Sequence, residues 1–174
     1  MPRAPRPGSL PAMLVALTLA ALPATAPAQT AAPADADADA VVAAARDYFA
    51  ARARGDTGAA LALVSELYTD RVPAGTLTEA WRAADADGLD YAEMEIRALT
   101  WYLDPTGLPE GAYATLDLSG NSEDVALACG YQVWQRTPDG AVLVREELNL
   151  FPAEGYAEMD ELDRSEILAA FGCY

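Results

Sequence analysis

The chain has 174 residues, with 11 Arg, no Lys and 27 Asp plus Glu, for a formal charge of −16. Apolar residues make up 52%, with 39 Ala in the chain, which suffices for one compact domain and is too little for two. The lack of His removes the commonest general base and zinc ligand, and the lack of any basic cluster excludes a nucleic-acid surface, which needs grouped Lys or Arg to neutralise phosphates.

Residues 1–28 have the three parts of a secretory signal: Arg3 and Arg6, an apolar stretch from Leu10 to Leu22, and the small-residue cleavage site Ala26-Pro27-Ala28. The apolar stretch is too short to cross ~30 Å of hydrocarbon. The expected mature protein is therefore periplasmic or secreted, with no membrane attachment after cleavage. Export gives Cys129 and Cys173 a meaning, because two cysteines in an oxidising compartment usually pair. A disulfide there closes a long loop, worth roughly 4 kcal/mol by chain entropy.

Residues 29–38 read as a flexible acidic lead-in to a single domain over 39–174. From Val41 the apolar period is helical, with Val42, Ala45, Tyr48, Phe49 and Arg52 on one stripe, Asp37 or Asp39 as the cap and Gly55 as the stop. Asp56 caps a second helix whose stripe runs from Ala60 to Tyr68. Thr76 and Glu79 have capping-box spacing and announce a third, with Leu77, Ala80, Trp81 and Ala84 inward and Gly88 beyond its end.

The second half reads as four strands. In Tyr91–Leu103 the apolar face changes parity, from Met94 and Ile96 to Leu99 and Trp101, so this strand is covered on both sides or bulged. Gly111–Leu118, Val125–Arg136 and Ala141–Phe151 follow, the last two joined by the hairpin signal Thr137-Pro138-Asp139-Gly140. Parity puts Leu127, Cys129, Tyr131 and Val133 on one face, and Val142, Val144, Leu148 and Leu150 on the matching face of the next strand. A four-residue loop, 137–140, sets Tyr131 opposite Glu146, and a two-residue loop at Asp139-Gly140 sets it opposite Leu148; either way Glu146 is a carboxylate on an otherwise apolar face. Asp160–Phe171 is a short acidic helix ended by Gly172.

Three helices followed by a four-stranded antiparallel meander, with the Tyr48-Phe49 pair, the Gly55-Asp56 break and Pro109-Glu110-Gly111-Ala112-Tyr113 leading into the meander, resemble the NTF2-like (cystatin-like) α+β superfamily and its exported bacterial members. The resemblance covers residues 40–152. It implies a cone in which helices cap the concave face of a curved sheet over a pocket, with a short C-terminal helix added. Some members are isomerases, cyclases or dehydratases, and many only bind ligands or dimerise, so fold does not settle function.

On that frame Tyr48, Tyr68, Tyr131 and Glu146 are expected to line the pocket. Glu146 and Tyr131 would be its carboxylate and phenol if the protein were an isomerase or hydratase. The alternative is a rim glutamate reaching water, or one paired with Arg97. Asp85, Asp87 and Asp90 resemble half of a calcium loop, but Ala83 and Met94 occupy its first and closing ligand positions, so a helix end in an acidic turn competes with a calcium-stabilised domain. Trp134, Leu143 and Phe151 are expected on the outer sheet face as a homodimer surface. The expected function is non-catalytic binding of a small apolar or cationic ligand or a protein partner, with no cofactor.

Overall fold

The computed structural model describes residues 33–171 and 173. The signal expected at 1–28, residues 29–32, Gly172 and Tyr174 lie outside the described residues. The chain is an α+β protein with a four-stranded antiparallel sheet of order β1-β2-β3-β4.

Among the described residues four α-helices precede the sheet where three were expected. The first, α1 (Asp35–Ala53), starts well before Val41, because Asp37 folds back to accept the Ala34 amide at 2.7 Å. Arg136 from the sheet pairs with the same carboxylate. The second expected helix is cut in two. Asp56 caps α2 (Thr57–Ala62) by accepting from the Ala59 amide, and Ser65 caps the single turn α3 (Glu66–Thr69) by accepting from Tyr68. Between them, the Leu63 carbonyl accepts from the Leu143 amide at 2.7 Å and the Ser65 amide donates to the Leu143 carbonyl at 2.8 Å. Residues 63–65 thus satisfy a sheet edge in place of a helical turn. α4 (Ala74–Ala86) begins two residues ahead of Thr76, buries Leu77 and Trp81, and gives way to Gly88 at φ +87°.

A 3-10 turn, Tyr91–Glu93, leads into β1 (Glu95–Leu103). Of the two alternatives for this strand the bulge is present: the pairing with β2 (Ala112–Gly120) shifts between Ile96 and Ala98, so Ile96, Leu99 and Trp101 all pack against the main core despite their parity. β3 (Val125–Thr137) and β4 (Gly140–Pro152) form the last hairpin. Its turn has the expected register, with Arg136 opposite Ala141. A second bulge then inserts Val144, because Trp134 pairs with Leu143 but Val133 with Arg145. From there on Glu146 faces Gln132, and Tyr131 faces Glu147.

This bulge and the burial pattern correct the expected faces. Ala128, Trp134, Leu143, Leu148 and Leu150 belong to the core shared with Tyr48, Phe49, Leu77 and Trp81, so the even positions of β3 face the helices. Cys129, with Tyr131 and Val133 at the same parity, faces the other way. Trp134 and Leu143 are therefore not on the outer face as a dimer surface, and are wholly buried. Phe151 is on the outer face but covered: it packs with Cys129, Cys173, Leu127, Tyr156, Ile167 and Leu168 in a second, smaller core. α5 (Ala153–Glu158), which the sequence reading did not anticipate, and α6 (Glu161–Phe171) build that core, and the Cys129–Cys173 disulfide ties the chain end to β3.

Gly130 sits directly against the β4 backbone. A Cβ there would lie 2.0 Å from the Glu147 carbonyl oxygen. Gly130→Ala is expected to destabilise the domain by about 2 kcal/mol or more, read as a lower midpoint in urea unfolding.

Candidate functional site

The site forms where α1, the 91–93 turn and β4 meet under α4. Tyr48 and Arg52 lie one helical turn apart on the buried stripe of α1, so both side chains enter the same region. Tyr48 is wholly buried and makes edge contacts with Phe49, Trp81, Tyr91 and Trp134. Its hydroxyl donates to Glu146 Oε1 at 3.0 Å.

Arg52 is 5% exposed, an unusual place for a charge. Its guanidinium lies 4.2 Å from the Tyr91 ring centroid and 4.6 Å from that of Trp81. Nη1 donates to the Tyr91 hydroxyl at 2.9 Å, and Nη2 donates to the Trp81 carbonyl at 3.2 Å and to Asp85 Oδ1 at 2.9 Å. The Tyr91 hydroxyl in turn donates to Glu146 Oε1 at 3.4 Å. On the sheet side Trp134 Nε1 donates to Gln132 Oε1 at 3.0 Å, and Gln132 Nε2 donates to Glu146 Oε2 at 2.6 Å.

The direction of these bonds follows from chemistry. Arg and the Trp indole can only donate. Arg52 therefore makes the Tyr91 oxygen an acceptor, leaving its proton for Glu146. Trp134 makes the Gln132 carbonyl an acceptor, turning the amide NH₂ toward Glu146. Both chains end on one carboxylate, which must accept on both oxygens. Burial pushes the Glu146 pKa above the usual carboxylate value, while the Gln132 amide, the Arg52 charge and the two phenols pull it back. Burial also opposes the Arg52 charge, but the surrounding Tyr91, Tyr48 and Glu146 outweigh it.

Two cavities share a wall at Glu146. One, of about 180 Å³, lies between α4 and the sheet, lined by Leu77, Ala80, Trp81, Ala84, Leu89, Leu148 and Leu150 with Tyr68, Tyr91 and Glu146. The other is a groove of about 550 Å³ around the β4 edge, bounded by Tyr68, Arg71 and Val72 on one side, the 106–108 loop on another, and Tyr131, Val133 and residues 144–147. Tyr68 stands between them. Its hydroxyl donates to the Glu146 carbonyl and accepts from the Glu146 amide, both at 3.3 Å.

The expected site residues are thus only partly brought together. Tyr48, Tyr68 and Glu146 converge. Tyr131 lines the groove with Tyr68 and Glu146, but its side chain lies on the opposite sheet face from the Glu146 carboxylate, and its hydroxyl donates to Glu147 Oε2 at 2.8 Å beside Arg145. Tyr48 acts from beneath the cavity rather than lining it. The alternative pairing of Glu146 with Arg97 is absent, since Arg97 pairs with Glu95. Asp85, Asp87 and Asp90 do not form a metal cluster. Asp85 holds Arg52, Asp90 accepts from the Ala92 amide at 2.8 Å, and among the described residues no group of three or more ligating side chains could hold a metal ion.

Arg52, Tyr91 and Gln132 were missed as site residues. A sequence signal existed for two of them, since an arginine on an apolar helix stripe and a glutamine two residues before a strand tryptophan both need buried partners. No family model, curated protein or solved structure matches this chain.

Removing the link in the second chain is expected to be costly. Gln132→Leu leaves the Trp134 indole N–H and Glu146 Oε2 unpaired, a loss of roughly 2–4 kcal/mol, measurable as a lower midpoint of chemical unfolding.

Burial, then the Glu146 charge, raise the Tyr48 and Tyr91 pKa values well above that of a free phenol. Each keeps its proton in the folded state while the unfolded chain ionises near ~10. Their contribution to stability is therefore full below that pH and is lost as pH rises from there through the raised folded-state values. An alkaline titration followed by phenolate absorbance should show these two tyrosines ionising late, together with unfolding. Early ionisation of all tyrosines in the folded protein would contradict the assignment.

Proposed function

We propose that this chain is an exported, NTF2-like, non-catalytic domain that binds a small ligand in the cavity beneath α4, with Glu146 as its polar anchor. The observation carrying this reading is that an otherwise apolar and aromatic cavity contains a single acidic side chain. Oε1 is taken by Tyr48 and Tyr91, whereas Oε2 accepts from Gln132 alone among the described residues, so one acceptor position remains for a ligand donor. An ammonium group with a short apolar body satisfies both the carboxylate and the walls. A cavity of this size holds a molecule of about six non-hydrogen atoms, counting ~30 Å³ for each.

The helices over one face of an antiparallel sheet with three register shifts support the NTF2-like cone. The signal pattern of residues 1–28 supports export, and the disulfide suits an oxidising compartment. An isomerase using Glu146 with Tyr131 loses its geometry, because the two side chains lie on opposite faces of the sheet. Glu146 is moreover held by three donors, which suits a fixed anchor better than a proton-abstracting base.

n-Pentylamine is the matched probe. Calorimetric titration should show it binding more tightly than n-pentanol, and Glu146→Gln should weaken the amine at least tenfold while changing the alcohol less. Ala84→Leu, which fills the cavity and leaves the carboxylate untouched, should abolish binding of both. Absence of binding by either probe to the wild-type protein overturns the reading.

A further inference from the structure

The cavity beneath α4 opens to solvent along β4. Ala80 on its rim is exposed, and Ala84, Leu148 and Leu150 are half-buried. β4 is an outermost strand of the sheet, and its free side is capped over only part of its length. The 63–65 segment takes the Leu143 peptide groups, and the Tyr68 hydroxyl takes the amide and carbonyl of Glu146. Outward and inward backbone groups alternate along an antiparallel strand, so Leu148 and Leu150 direct theirs outward as Glu146 does. Among the described residues nothing bonds to them on that side. An edge of this kind is a template for another strand, and the side chains of the same two leucines line the cavity that holds the Glu146 carboxylate.

Charge selects what pairs there. A second copy would bring together two chains of formal charge −16. Asp87 continues the Ala80–Ala84 stripe at the end of α4, and Asp124 lies against Gly88, next to the Leu89 that lines the cavity. Neither acid has an ion-pair partner among the described residues. The edge therefore favours a cationic chain.

We propose that β4 at 148–150 pairs antiparallel with an extended basic segment of a partner protein, whose lysine enters the cavity and donates to Glu146. A lysine side chain with its Cα has the atoms of pentylamine, so it matches the cavity in size, and its ammonium suits the acceptor position left on Oε2. Diagonal neighbours on adjacent strands lie about 7–8 Å apart. A lysine and a glutamate reaching toward each other span that distance, so a lysine opposite Leu148 meets Glu146. The residues two before and two after it share its face and lie along the apolar walls. Backbone pairing supplies affinity that a single lysine lacks, and the cavity selects the side chain. The proposal rests on the reading of Glu146 as the anchor of a bound ammonium group.

The probe is the capped peptide acetyl-Thr-Val-Thr-Lys-Thr-Val-Thr-amide, titrated calorimetrically into the wild-type protein. Two counterparts accompany it, one with norleucine for lysine and one N-methylated at the lysine and both valines, whose amides face β4 in the proposed pairing. The lysine peptide is expected to bind at least tenfold more tightly than either, from the lost charged hydrogen bond in one case and the lost ladder in the other. Hydrogen exchange at the Leu148 and Leu150 amides, fast in the free protein compared with Glu147 and Asn149, should slow at least tenfold when the peptide binds. If pentylamine binds and the peptide does not, strand pairing is overturned and the anchor stands. The same holds if the peptide binds but N-methylation leaves its affinity, or binding leaves the two amides, unchanged. A norleucine peptide that binds as tightly as the lysine peptide overturns the lysine assignment. If neither pentylamine nor the peptide binds, the anchor fails and the pairing falls with it.

Discussion

The Glu146 carboxylate is the acceptor on which the interior is organised. Two hydrogen-bond chains approach it, one from Arg52 through Tyr91 and one from Trp134 through Gln132, and each begins at a group that can only donate. Because neither chain can be reversed, the carboxylate must accept at both oxygens. The arrangement joins α1, the 91–93 turn, β3 and β4 around one charge, with Tyr48 filling the space between them. No buried side-chain polar atom among the described residues lacks a partner, as expected where an unpaired group in a low-dielectric interior is costly.

Holding buried Arg52 close to half-buried Glu146 is tolerable because they are joined through the Tyr91 hydroxyl and because Asp85 meets the guanidinium at its outer side. The aromatic rings around Arg52 also matter, since a guanidinium is more weakly hydrated than an ammonium and stacks well on their faces. The same rings form part of the cavity wall, so the residues that stabilise the charges also give the cavity its shape.

The segment between α2 and α3 links the fold to the cavity mouth. β4 is an edge strand with hydrogen-bonding groups directed outward, and the 63–65 segment satisfies those of Leu143. This contact halts the helix and sets the next turn, α3, against β4. Tyr68 is carried on that turn to the Glu146 peptide group. A helix running unbroken from Asp56 to Tyr68 would leave the edge uncovered and direct Tyr68 elsewhere. The separation of groove from cavity is therefore a consequence of how the sheet edge is capped.

The sequence by itself determined the order of a helical half followed by four strands, the Asp56 cap, the stop at Gly88 and the hairpin turn, and it marked the parity change in β1 that a bulge resolves. Each is local, set by backbone preferences and side-chain period within a few residues. The cysteine pairing was legible from the even count and the compartment expected from the pattern of residues 1–28, and Glu146 was conspicuous as an acid among apolar neighbours. Its partners and the inner face of the sheet were decided only by the tertiary structure. The inner face of β3 holds Ala128, Gly130 and Gln132, small or polar residues that look like a solvent face, whereas Leu127 and Cys129 look like core because α5 and α6 cover them from the other side. The extra residue Val144 leaves no mark in a strand rich in valine and leucine, yet it moves Glu146 from Tyr131 to Gln132. A one-residue shift in a strand exchanges its faces, and only packing against both sides of the sheet decides where that shift occurs.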